Sequence, residues 1–186
     1  MTVRLRRYTL LPPADRDALL DVLRDGYDTP VAGSATFDEC LTYLSTKPGL
    51  WGIYVGDALA GLFALGPMQG FDHYRTTTVL APAYRGSGVN TPLKRAVAEA
   101  MRDTRIPLAA SVRLWNTRSI RAMAKAFPSV IPSEVVLPLA GENAGAAEPS
   151  LFYDLSAVPM SFVEHTYVHV YETIVLWARA RFALTA

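Results

Sequence analysis

The chain has 186 residues, with 18 Lys+Arg against 17 Asp+Glu and a formal charge of +1. Hydrophobic residues make up 51% and charged residues 19%, which suits one folded domain and argues against disorder. The near-zero total also argues against a protein coated uniformly in positive charge for nucleic acid.

The longest stretch without a charge or a His, residues 58–71, has 14 members and is broken by Gly and Pro. That is short of the ~18 or more apolar residues of a spanning helix. No apolar run follows the N-terminal cations Arg4, Arg6 and Arg7, so no secretory signal is read. Cys40 is the only cysteine, which excludes an internal disulfide and a zinc site of several thiolates. These features predict a cytoplasmic protein with no membrane partner.

In chain order, Val3 to Leu10 reads as a strand, with Val3 and Leu5 alternating with Arg4 and Arg6, closed by Pro12-Pro13. A helix follows from Asp15 to about Tyr27, with Leu19, Leu20, Val22 and Leu23 at helical spacing. Residues 28–35 read as a loop, and Thr36 with Glu39 resembles a capping box for a helix through about Ser45. Leu50 to Val55 and Ala58 to Leu65 form a predicted hairpin around Gly56-Asp57. A strand from about Tyr74 to Leu80 leads through Pro82 and a glycine-containing turn into a helix from about Thr91 to Arg102. Pro107 to Val112 reads as a strand and Asn116 to Ala126 as a helix. Two last strands, about Glu134 to Leu139 and Leu151 to Leu155, flank a small-residue loop. The expected class is α+β, a mixed and mostly antiparallel sheet flanked by about four helices.

The segment Arg85-Gly86-Ser87-Gly88-Val89-Asn90 carries the chemistry. Glycines let several backbone N–H groups converge, and the following helix N-terminus adds unpaired donors and partial positive charge. With Arg85 and Lys94 nearby in sequence, this is an anion site suited to a pyrophosphate. The spacing matches neither Gly-x-x-x-x-Gly-Lys-Ser/Thr nor Gly-x-Gly-x-x-Gly, which excludes the two better-known phosphate loops.

This segment resembles the Arg/Gln-x-x-Gly-x-Gly/Ala motif of the GNAT superfamily of N-acetyltransferases, matching its first two fixed positions. Leu80-Ala81-Pro82-Ala83-Tyr84 is similar to the hydrophobic-x-Pro-x-Tyr lead-in of that family. Asn116-Thr117-Arg118-Ser119, with Lys125 and Phe127 downstream, is similar to the Asn-x-x-Ala/Ser opening of its last helix. The element order agrees over residues 1–156, and residues 157–186 form a C-terminal helical extension beyond the resembled domain.

The resemblance implies acyl transfer from a coenzyme A thioester, acetyl-CoA or another acyl-CoA, to an amine, most simply a small molecule. Under it, the amides of Gly86, Ser87, Gly88, Val89 and Asn90 hold the pyrophosphate, with Arg85 beside them. The main chain near Leu80 pairs with the pantetheine arm, and Asn116 with Ser119 orients the donor or the neighbouring backbone. His73 and Tyr74, at the start of the strand entering the motif, are the candidate proton-transfer residues.

Two departures stand out. Asn90 occupies a position where the family has Gly or Ala, and Met123 stands where many members carry a Tyr that acts as general acid. The acid is therefore unassigned, with Tyr84, Tyr153 and water as substitutes. These departures keep two alternatives open: a transferase using aminoacyl-tRNA or acting on nucleic acid, and a non-catalytic acyl-CoA-binding module. Charge distribution bears on the first. Residues 75–125 carry ten cations and two acids, a local +8 hidden by −7 elsewhere. In the tail, Phe162, Val163, Val170, Ile174 and Trp177 recur at roughly helical spacing, predicting a helix that covers an apolar patch on its own subunit or a homodimer partner. His165 and His169, four apart, lack a third ligand, and no metal is expected.

Overall fold

In the computed structural model, residues 2–27, 47–68, 70–138, 147–156 and 163–184 are described. The predicted loop at 28–35, the helix at 36–45 and most of the small-residue loop after residue 139 lie outside them. The elements are β1 (Val3–Arg7), α1 (Pro13–Tyr27), β2 (Gly49–Val55), β3 (Ala58–Pro67), β4 (Tyr74–Leu80), α2 (Asn90–Asp103), β5 (Leu108–Arg113), α3 (Thr117–Ala126), β6 (Ser133–Pro138), β7 (Ala147–Asp154) and α4 (Val168–Phe182). The strands form one seven-stranded sheet in the order β1-β2-β3-β4-β5-β7-β6.

Every neighbouring pair is antiparallel except β4 and β5, which run parallel. A parallel pair needs a crossover, and α2 supplies it. The hairpin β2–β3 turns on Gly56, whose φ of +61° is the left-handed conformation such a tight turn requires. Side-chain alternation sends Trp51, Ile53, Phe63, Leu65, Leu108, Ala110 and Tyr153 to one face, where α2, α3 and α4 complete the main core. The opposite face carries Tyr54, Leu62 and Ala64 against Leu11 and Leu19. There the Tyr54 hydroxyl donates to Asp15 and ties α1 to the sheet.

The first strand is shorter than its sequence suggests. It ends at Arg7, and Tyr8–Leu10 forms a 3-10 turn that leaves Leu10 79% exposed. The ladder with β2 ends at Arg7↔Trp51, so the residues beyond have no strand partner to hold them extended. In contrast β7 begins at Ala147, before the predicted Leu151, because it pairs with β5 on one side and β6 on the other. Tertiary pairing overrides the weak strand propensity of Ala147 and Pro149.

The C-terminal helix belongs to the main core. Val170, Ile174 and Ala178, four residues apart, are fully buried in it. Trp177 packs edge-on against Trp51 at 5.5 Å, and Tyr74 sits edge-on to Phe182 at 5.2 Å. No described helix is long and apolar enough to cross a membrane. Ile174→Ala is predicted to lower unfolding free energy by about 2–5 kcal/mol. Leu176→Ala, at a site 67% exposed, should stay within about 0.5 kcal/mol of the parent. Urea unfolding followed by tryptophan fluorescence compares them.

Candidate functional site

The site is built where β4 and β5 part. Their ladder has two pairs, Tyr74↔Leu108 and Arg75↔Ala109, and no pairing joins them further along. Both strands stay in the sheet, because β3 pairs with β4 as far as Leu80 and β7 pairs with β5 as far as Arg113. A gap therefore opens between them. Met68 N donates to His73 O at 2.8 Å and Ala81 N to Ala60 O at 2.9 Å. Antiparallel alternation then aims the backbone groups of odd-numbered β4 residues at β3 and those of even-numbered ones toward β5. Tyr74 N is bonded to Pro107 O, and Leu80 O accepts from Arg85 Nε at 2.9 Å. The main chains of Thr76 and Thr78 face the gap.

At its open end lies the glycine turn. Gly86 and Gly88 have φ of +80° and +88°, values L side chains rarely adopt. A Cβ added to either would meet nothing within 4 Å. Conformation, not crowding, demands glycine here, and the turn presents open space to a ligand. Its Ser87 hydroxyl donates back to Tyr84 O at 2.6 Å. Helix α2 begins with Leu93 N donating to Val89 O at 3.3 Å. The N–H groups before Leu93 have no intrahelical acceptor, and Pro92 has none to offer.

Three polar side chains near the gap lack their expected partners. The Asn90 Oδ1 and Thr78 Oγ1 atoms are buried with no hydrogen bond, a costly state unless a ligand or water completes it. Thr78 shares its face with Tyr74 and Leu80, the face packed by α2. Lys94 stands one turn beyond Asn90 on the same side of α2. It is half-buried, and burial pushes its pKa down to about 8.

The remaining predicted residues divide between two faces. His73 lies on the α1 side, edge-on to Phe152 at 5.4 Å, with Nε2 3.6 Å from Asp154 Oδ1. Its Nδ1 is buried without a partner. Burial acts to raise the Asp154 carboxyl, but hydrogen bonds from Ser156 and the His73 interaction outweigh it and hold it below its usual range. Tyr74 points to the other face, into Trp177 and Phe182, so the structure does not bring His73 and Tyr74 together. Asn116 caps α3, its Oδ1 accepting from Ser119 N at 3.0 Å. Met123 is buried in the main core.

Two residues were not found by sequence reasoning. Tyr167, in the 3-10 turn before α4, donates its hydroxyl to Val89 O at 3.1 Å and so fastens the end of the glycine turn. Its pKa is pushed up to about 12 by burial and by Glu164. Asp154 was missed because nothing in sequence links it to His73, 81 positions earlier; the β5–β7 pairing alone brings it across. 

A model of the acetyltransferase (GNAT) family matches residues 16–127. The chain belongs to the GNAT family. As a member it is an acyltransferase, and the matched segment spans the gap, the glycine turn and the Asn116 cap. No protein of curated function matches the sequence. Among solved structures it is similar to a ribosomal-protein-alanine N-acetyltransferase from Brucella melitensis, with 18% identity, 82% of this chain and 98% of the other covered, and a TM-score of 0.58. It is also similar to yncA from Salmonella typhimurium, solved with its cofactor acetyl-CoA, at 15% identity, 89% and 99% coverage and a TM-score of 0.57. An N-acetyltransferase from Staphylococcus aureus Mu50 gives 18% identity, 83% and 99% coverage and a TM-score of 0.57. These likenesses establish the GNAT fold, a seven-stranded mixed sheet with its C-terminal helix.

Two outcomes check this geometry. Gly88→Ala should cost about 1–2 kcal/mol in urea unfolding, all of it from the left-handed backbone. Burial holds the Lys94 pKa at about 8 in the folded chain, against an ordinary value of 10.5, so the unfolded chain binds the proton more tightly between those pH values. Stability should rise with pH across that window, and the penalty should be fully present below about pH 8. Lys94→Met should abolish this rise and be more stable than the parent at pH 7 by about 1–2 kcal/mol, as read from denaturant midpoints at pH 7 and 10.

Proposed function

We propose that this protein transfers an acyl group, acetyl in the first instance, from a coenzyme A thioester to a small amine by direct attack. The observation that supports this most is the gap between β4 and β5, with an open glycine turn at its mouth and unpartnered polar groups on its α2 side. A coenzyme A thioester fits what these residues lack. It has a pyrophosphate for the amides of Gly86, Ser87, Gly88, Val89 and Asn90. It has amide groups for the exposed main chain of Thr76 and Thr78 and for the buried Asn90 Oδ1. When bound, it supplies an activated acyl group.

The chain's own residues would divide the work between the two faces of the sheet. Arg85 braces the turn through Leu80 O, and Asn116 with Ser119 N fixes the first turn of α3 beside the gap. On the α1 face, His73 Nε2 is the ring nitrogen that would accept a proton from the attacking amine, since Nδ1 is enclosed, and Asp154 Oδ1, 3.6 Å from it, would pair with the imidazolium so formed. On the α2 face, Tyr153 stands opposite Ala110, the first β5 residue past the ladder. Burial raises its pKa and keeps the phenol protonated and able to donate to the leaving thiolate. This assigns to Tyr153 the acid that Met123 cannot supply, and gives Tyr74 a packing role.

Saturating acetyl-CoA should raise stability by about 2.7 kcal/mol at a hundredfold excess over Kd, seen as a higher melting temperature. His73→Asn and Tyr153→Phe should each cut kcat/KM about a hundredfold or more in a thiol-release assay with primary amines, while retaining the acetyl-CoA shift. A melting curve unmoved by acetyl-CoA but shifted by aminoacyl-tRNA would sink the coenzyme A reading.

A further inference from the structure

The face of the sheet that carries His73 also carries two arginines beside the gap. Arg75 lies two positions after His73 on β4, and Ser111 and Arg113 follow Ala109 at the same alternation on β5. Arg75 stands on the last rung of the β4–β5 ladder, and its Nη1 donates past that rung to Ser111 Oγ at 3.3 Å. Its side chain therefore spans the root of the gap, on the side where His73 would meet an attacking amine. Arg113 is anchored nearby, with Nε 3.2 Å from Glu148 Oε2 and Nη1 donating to Ser150 Oγ at 3.2 Å. Burial, with the Arg75 charge adding to it, lowers the Arg113 pKa against the opposing pull of Glu148. The two guanidinium groups are thus close enough to act on one ligand.

Charge is ordered along this face. At one end the Asp154 carboxylate lies 3.6 Å from His73 Nε2. At the other, Arg75 and Arg113 flank Ser111. Both oxygens of Glu148 are engaged there, Oε2 by Arg113 and Oε1 by the Trp115 indole at 2.7 Å. Arg75 makes a further interaction within the protein, and five N–H donors in a planar fork let one guanidinium hold a protein group and a ligand carboxylate together. His73 and Arg75 are two strand positions apart, ~6.6 Å, a span that one small molecule bridges. An amine at the acid-flanked end and a carboxylate at the basic end match that order. Between the ends stands Phe152, directly opposite Ser111 on β7. It meets the His73 ring edge-on at 5.4 Å and stacks on Phe71 at 4.9 Å. Met68, Ala109 and Leu137 pack with this pair. The resulting wall suits a hydrocarbon side chain and supplies no carboxylate for a second ammonium group.

We propose that the acceptor is an α-amino acid with an apolar side chain, its carboxylate bound by Arg75 with Arg113 beside it, its amine at His73 and its side chain against Phe71 and Phe152. This rests on the acyl-transfer reading above and names its substrate class. The nitrogen–acyl bond forms as the carbon–sulfur bond breaks. The nitrogen's proton goes to His73 and the thiolate takes one from Tyr153, leaving an N-acyl amino acid and free coenzyme A. Arg75 takes no part in those proton transfers and acts by holding the acceptor.

The test is thiol-release kinetics with acetyl-CoA and four acceptors: L-phenylalanine, L-phenylalaninamide, 2-phenylethylamine and spermidine. Wild type is compared with Arg75→Gln and Arg75→Lys. Wild type should favour L-phenylalanine over its amide and over 2-phenylethylamine by about tenfold or more in kcat/KM, mostly through KM. Arg75→Gln should bring that ratio to about one, and Arg75→Lys should restore part of it. Both variants should keep the rise in melting temperature with acetyl-CoA. The wild-type comparison of acid with amide decides the matter whether or not the variants fold. A wild-type ratio near one, a ratio that survives in Arg75→Gln, or spermidine as the preferred acceptor overturns the assignment while leaving acyl transfer intact. Turnover of none of the four overturns it too, with the coenzyme A reading kept if acetyl-CoA still raises the melting temperature and lost if it does not.

Discussion

The parting of β4 from β5 is the constraint on which the rest of the site depends. Two parallel pairs hold the strands at one end, and each strand is then carried away by an antiparallel neighbour with a longer ladder. The gap cannot close without breaking one of those ladders. It leaves main-chain groups of Thr76 and Thr78 without a strand partner, and an extended ligand is the natural way to satisfy them. Because a parallel pair requires a crossover, α2 must return over the sheet, and its N-terminus with the glycine turn must lie at the open end. Phosphate binding and strand-like binding are consequences of one topological choice.

The C-terminal helix secures that arrangement at two points. At the open end, the Tyr167 hydroxyl holds Val89 O, the last carbonyl before α2. At the closed end, Trp177 and Phe182 clasp Tyr74, one of the two β4 residues still paired with β5. Aromatic packing of this kind adds to apolar burial and fixes ring geometry. The helix thus stiffens both the turn and the root of the gap, although none of its residues lines the proposed proton path.

Several departures from local rules lie around the gap. Asn90 and Thr78 bury unpaired oxygens, Lys94 is desolvated, and Gly86 and Gly88 hold left-handed backbone. Elsewhere the Tyr54 hydroxyl is matched by Asp15 and Thr104 Oγ1 by the Ala100 and Met101 carbonyls, while Arg4 Nε, Trp51 Nε1 and Glu99 Oε2 are buried without a partner. Unmet polar capacity beside an open glycine turn is the pattern of a binding site whose partners arrive with the ligand.

The element order, the glycine turn and the family were legible in the sequence because each rests on local information. Apolar periodicity marks strands and helices, and the motif Arg85 to Asn90 with Asn116 downstream combines turn chemistry with a helix cap. The sequence predicts β4 at Tyr74 to Leu80, the bounds it has in the fold, since Pro82 and the alternation bound it tightly. What the sequence could not decide is which distant residues meet. His73 and Tyr74 are adjacent in the chain, yet the pleat sends them to opposite faces, and only sheet packing shows which face has room for chemistry. Asp154 reaches His73 through strand pairing, and Tyr167 reaches Val89 through helix packing, contacts that no spacing encodes. Local propensity determined the elements; burial and register, which exist only once the chain has closed on itself, decided the site.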